Sequence, residues 1–192
     1  MNMQLQHSQY TVRRKVLQLV GASFHVYDPS EQVVMFSKMK AFKLKEDIRV
    51  YEGEAMQTEL LSIQARQIMD VSATYDVTDV QTGEKVGALK RQGLKSILKD
   101  EWLILGAGDQ PVGKIQEDSM LLALVRRFLV NLFPQTYNMT IGETSVGTMK
   151  QNINPFVTKI AIDFSPDTQG LLDKRLGIAA AILMCAVEGK QS

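Results

Sequence analysis

Two groups of cations are the residues of this chain best placed to bind something. KMKAFKLK carries Lys38, Lys40, Lys43 and Lys45, and KRQGLK carries Lys90, Arg91 and Lys95. Clustered ammonium and guanidinium groups hold anionic headgroups, each charge contributing about 1 kcal/mol near a membrane surface. The same residues also suit the wet face of a soluble strand, where lysines discourage stray edge pairing. Glu46, Asp47, Glu52 and Glu54 follow the first group closely and blunt its field. TVRRKV adds Arg13, Arg14 and Lys15, open to the same two readings.

Catalysis has little to work with. The two histidines are His7, near the N-terminus, and His25, in an alternating run. Neither has a Cys or His partner at metal-ligand spacing. His25 reads as an outward-facing strand residue. Cys185 lies inside an apolar run and reads as an inert core thiol. GxSxG, P-loop and Rossmann glycine patterns are absent. The glycines of LGAGDQ, at 105–110, fit a hairpin turn, and the neighbouring acids Glu117 and Asp118 are too common a pair to signal acid–base work. The expectation is a non-enzymatic protein with no cofactor.

Composition narrows the classes further. The chain has 192 residues, 45% hydrophobic and 22% charged, with a net charge of +1. That length favours one domain with a substantial core. Near-neutral charge gives no global attraction to nucleic acid, so none is expected as a partner. A single cysteine excludes an internal disulfide and fits a reducing compartment. MNMQLQHSQY has no basic region followed by an apolar stretch, so a cytoplasmic location is expected.

The elements that position these residues are mostly strands. VSATYDVT alternates Val71, Ala73, Tyr75 and Val77 with polar residues, and FVTKIAIDF sets Phe156, Ile160, Ile162 and Phe164 against Lys159 and Asp163. One apolar and one wet face mark antiparallel sheet. About twelve strands are expected, near 10–17, 23–28, 32–39, 47–52, 59–65, 71–79, 86–92, 96–105, 111–118, 136–142, 145–151 and 156–164. VGALK, VGKIQ and VGTMK, beginning at Val86, Val112 and Val146, each follow a turn and open a strand. Their glycines suggest places where a strand bends or something packs closely.

Two segments break the pattern. EDSMLLALVRRFLVNLFP, at 117–134, places Met120, Leu124 and Phe128 on one side and predicts an amphipathic helix. LGIAAAILMCAV, Leu176–Val187, is apolar on every side. It is too short to span a bilayer unaided, so it predicts a buried core helix, with membrane insertion as the alternative. Leu176, Ile178, Ile182, Leu183, Met184 and Val187 are its expected core contacts. The sheet needs a filler and the helix needs a sheath. The expected fold is therefore mainly β with two helices: a closed antiparallel barrel of about twelve strands around the C-terminal helix. It forms one domain over 9–190, with 1–8 as a flexible tail.

YTVRRKVLQLVGASFHVYDPSEQVVMFSKMKAFKLKEDIRVYE, ATYDVTDVQTGEKVGALKR and AIDFSPDTQGLLDKRLGIAAAILMCAV resemble the LURP-one-related proteins, from about Tyr10 to Val187. That superfamily includes the phospholipid scramblases and the tubby C-terminal domain. The resemblance implies a twelve-stranded, tubby-like barrel around a C-terminal helix. It also implies phosphoinositide binding through surface Lys and Arg, as in tubby domains, or action on lipids, as in scramblases. Scramblases carry a proposed calcium segment before the terminal helix, onto which Asp163, Asp167 and Asp173 would map. The spacing lacks alternating oxygens and a bidentate Glu. Helix capping by Asp167 or Thr168, with Asp173 at the positive end, explains the same residues. The expected function is a binding module for anionic phospholipid or phosphoinositide headgroups. A protein-interaction scaffold and a scramblase-like lipid transporter are the alternatives.

Overall fold

Alternation of apolar and polar residues builds twelve strands, and the apolar face of each turns toward one axis. The computed structural model describes residues 5–15, 21–40, 47–66, 73–92, 101–118, 135–152 and 157–188. In chain order the strands are β1 Gln9–Lys15, β2 Gly21–Tyr27, β3 Val33–Lys40, β4 Ile48–Tyr51, β5 Glu59–Ala65 and β6 Thr74–Asp79. They continue with β7 Lys85–Gln92, β8 Glu101–Leu105, β9 Pro111–Glu117, β10 Thr136–Ile141, β11 Thr144–Gln151 and β12 Lys159–Asp163. One helix follows, α1, Lys174–Glu188. Each strand pairs antiparallel with its sequence neighbour, and β1 pairs β12, so the sheet is a closed barrel. Closure leaves no strand edge unpaired. Glu117 ends β9; the amphipathic helix expected over the rest of 117–134 lies outside the described residues.

α1 threads the barrel. Ile178 through Ala186 are each no more than 3% exposed, and Leu176 is 5%. The wall around them is the inward set, including Val12, Phe24, Val26, Ile104, Ile115, Met139 and Ile160. The helix has no polar stripe because it has no wet side. The side chain of Val187 lies outside the described residues. Asp173 caps the helix start: its Oδ1 accepts from Arg175 N at 2.9 Å and its carbonyl accepts from Leu176 N at 2.9 Å. Residues 5–8, read from sequence as part of a tail, are held against this end. Lys174 Nζ donates to His7 O at 2.8 Å and to Leu5 O at 3.3 Å, and Phe164 N donates to Ser8 O at 2.7 Å.

The up-and-down order gives the barrel two different rims. The hairpin rim gathers turns 28–32, 52–58, 80–84, 106–110 and 142–143, and α1 enters there. The far rim is where β1, β3, β5, β7, β9 and β11 finish. Just inside the hairpin rim the register shifts in five successive hairpins. In each, the later strand carries one extra residue: Val34, Leu60, Val86, Val112 or Val146. Leu60 and Val146 are buried, and Val34, Val86 and Val112 pack against the core. Bulges tighten the local twist and are favoured at barrel rims. The three Val-Gly pairs of the sequence repeat are therefore bulge sites, with Val as the extra residue and Gly as the next paired one.

Candidate functional site

Register decides which cations meet. Ser23 of β2 is opposite Lys15 of β1 on one side and Lys38 of β3 on the other. The two lysines therefore sit two strand spacings apart, about 10 Å. Arg13 is opposite Lys159 of β12, and Lys150 of β11 is opposite Ala161 of β12. All five residues belong to the outer face, since their neighbours Val12, Met39, Met149 and Ile160 are core residues. Together they form a continuous basic arc across β3, β2, β1, β12 and β11, toward the far rim. Lys15, Lys38 and Lys150 are exposed; Arg13 and Lys159 are half-buried, with Arg13 lying 5.0 Å over the Tyr27 ring. None of the five makes an ion pair with another described residue.

Four other cations are neutralised, while Lys90 and Lys114, opposite Leu103 from its two sides, also lack an ion-pair partner among the described residues. Arg49 bonds Asp47 and Glu59, at 2.6 and 2.7 Å, and these carboxylates push its pKa up. Arg66 and Lys85 share Asp76 and Asp109. At the mouth, Arg175 binds Asp173 at 2.6 Å and Asp79 at 2.7 Å, fixing α1 to the β6–β7 hairpin. Burial alone would raise the Asp79 carboxyl. Hydrogen bonds from Arg175 and from Thr82 N outweigh it, and the carboxyl sits below the usual range. A carboxylate depressed in the folded state stabilises above its unfolded pKa, near 3.9, and that contribution is lost as pH falls through the folded value. Asp79→Asn is expected to cost about 1.5–3 kcal/mol at pH 7, the worth of a charged hydrogen bond. The gap from wild type should begin to narrow below about pH 4. Urea titrations at pH 7 and pH 3 check this; an unchanged gap would contradict it.

Of the cations named from sequence, the arc takes in Lys38, and Lys40 continues the same strand. Lys43, Lys45 and Lys95 lie outside the described residues. Strand alternation splits the second group: Lys90 is on the outer face of β7, and Arg91 is on the inner face opposite Trp102. β7 is four strands from β3, about 19 Å around the wall, so Lys90 is not part of the arc. Sequence reading missed Lys150 and Lys159, whose only local signal is alternation with apolar neighbours.

The three aspartates do not converge. Asp163 accepts from Ser165 N, Asp167 from Leu171 N and Leu172 N, and Asp173 caps α1 and binds Arg175. No group of three His, Cys, Asp or Glu side chains among the described residues could hold a metal. His25 corrects the sequence expectation in part. It occupies the outer face, between Phe24 and Val26, yet it is only 2% exposed. Phe36 packs edge-on at 5.0 Å, Tyr27 stacks at 6.1 Å, and Nε2 bonds Glu54 Oε1 at 2.5 Å. A strand period cannot show that neighbouring aromatics and a turn will cover an outward ring.

Among the described residues no helix is long and apolar enough to cross a membrane, which says nothing of strands. No family model, no curated protein and no solved structure matches this chain.

Proposed function

We propose that this barrel is a non-enzymatic binding module for anionic phospholipid headgroups, docking through the arc of Arg13, Lys15, Lys38, Lys150 and Lys159. The supporting observation is that five cations without ion-pair partners among the described residues lie side by side on one outer wall, while elsewhere Arg49, Arg66, Lys85 and Arg175 are paired and the unpaired outer-face cations number two, Lys90 and Lys114. Neighbouring like charges repel, and an anionic surface relieves that repulsion. The resemblance to LURP-one-related and tubby-like barrels points the same way. A cytoplasmic leaflet, rich in anionic lipid, would be the target. Lipid transport through the terminal helix is less favoured, because the wall encloses that helix on all sides.

Co-sedimentation with phosphatidylcholine vesicles, with and without phosphatidylserine, tests the reading. Binding should require phosphatidylserine and weaken with salt, since the field is screened within about 10 Å at 0.1 M. Lys15→Glu/Lys38→Glu/Lys150→Glu should weaken it by about 100-fold or more, from about 1 kcal/mol per charge removed. Lys90→Glu, on the opposite wall, should change it little. Absence of binding at low salt, or equal loss in both variants, would overturn the assignment.

A further inference from the structure

The hairpin rim has the opposite character to the arc. The large hydrophobic residues that are exposed, among those described, are Val33, Met56, Val80 and Leu171, at 36–42%. Val33 opens β3, Met56 is in the β4–β5 turn, Val80 is in the β6–β7 turn, and Leu171 precedes α1. All four therefore lie on one rim, over adjacent strands. The same rim holds a half-open cavity of about 680 Å³ whose apolar lining includes Leu5, Met35, Leu60, Leu61 and Leu172, with Val80 and Leu171 next in the chain to other lining residues. That volume is in the range of true binding pockets, about 300–1,000 Å³. Leu60 reaches it because it is the extra residue of a bulge.

The charge around this cavity is negative. The flanking turns carry Asp28, Glu31, Glu52, Glu54 and Glu84, and contain no Lys or Arg. Lys174 and Arg175 line the cavity, but Lys174 is bonded to the carbonyls of Leu5 and His7, and Arg175 to Asp79 and Asp173, with Glu84 3.6 Å away. An apolar depression with an acidic rim repels an anionic membrane. It complements a chain segment that presents apolar side chains among cations.

We infer that the hairpin rim docks a segment of a partner protein in which apolar side chains are flanked by Lys or Arg. The contact extends beyond the cavity to Val33, Met56, Val80 and Leu171, which a small molecule seated inside would leave exposed. Docking is by side chains, because the closed barrel offers no edge for strand addition. Met56 gives the surface an adaptable contact. This inference stands independently of the lipid reading, since the two surfaces share no residue.

The test is fluorescence anisotropy of the full-length protein with labelled synthetic peptides of equal length: Leu–Lys, Leu–Glu and Ser–Lys. The Leu–Lys peptide should bind, the Leu–Glu and Ser–Lys peptides should bind at least about tenfold more weakly, and salt should weaken the first. Met56→Asn/Leu171→Ser should reduce Leu–Lys binding about tenfold or more, and Glu31→Lys should weaken it as well. Asn suits the positive φ of 51° at position 56, and all three residues are exposed, so both variants should melt as wild type does. Lys15→Glu/Lys38→Glu/Lys150→Glu should leave peptide binding unchanged. The inference fails if the Leu–Lys peptide does not bind, if either control peptide matches it, or if the rim variants bind it like wild type.

Discussion

A chain ending at Asp173 should show no cooperative unfolding transition. The removed segment includes Leu176, Ile178, Ile182, Leu183 and Met184, each no more than 5% exposed. At about 1.5–3 kcal/mol per buried side chain, their loss is on the order of 10 kcal/mol. Whole domains are stable by only about 5–15 kcal/mol. Truncation also strips the inward faces of the strands of their partner, and a barrel with fixed strand number and stagger cannot shrink to close the void. A graded version is Ile182→Ala, expected to cost about 2–5 kcal/mol, a buried-cavity penalty. Calorimetry and near-ultraviolet circular dichroism check both. A truncated chain that keeps a sharp melt would show that the wall is stable without its filler.

Gly113→Ala should be far more damaging than its single methyl suggests. A Cβ at Gly113 would collide with the carbonyl oxygen of Thr140 on the neighbouring strand β10. A backbone oxygen cannot turn aside as a side chain can, so β9 and β10 must separate and lose ladder hydrogen bonds. The expected cost is about 3 kcal/mol or more, the upper range for overpacking. Gly147 is in the same position: its Cβ would lie 2.6 Å from Asp163 O. Gly53→Ala is the control, because nothing lies within 4 Å of its Cβ, and a change within about 0.5 kcal/mol is expected. Urea unfolding midpoints with unchanged slopes would measure these differences. A Gly113→Ala protein as stable as the Gly53→Ala control would refute the crowding account.

These glycines show how far the sequence could be read. The recurring Val-Gly after a turn was a usable signal of crowding, and the three sites are bulges. Val34 and Leu60 are the extra residues of equivalent bulges in which Met35 and Leu61 stand where the others have glycine, and nothing local announces them. His25 shows the same limit. Its alternation put it on the outer face, and Phe36 from β3 and Glu54 from a turn, with Tyr27 two residues along its own strand, bury it.

The sequence by itself determined the barrel and its filler. Period-two alternation allows only one face of each strand to be wet, and a helix apolar all round must be enclosed; both follow from local spacing and the cost of exposing apolar surface. Tertiary structure alone decided where charge accumulates. Lys15 and Lys150 are 135 positions apart in the chain, yet they belong to one arc because β1 closes on β12. Lys90 and Arg91, adjacent in the chain, are divided between two faces. Electrostatic interaction depends on distance through space, and in a closed sheet that distance is set by register and closure.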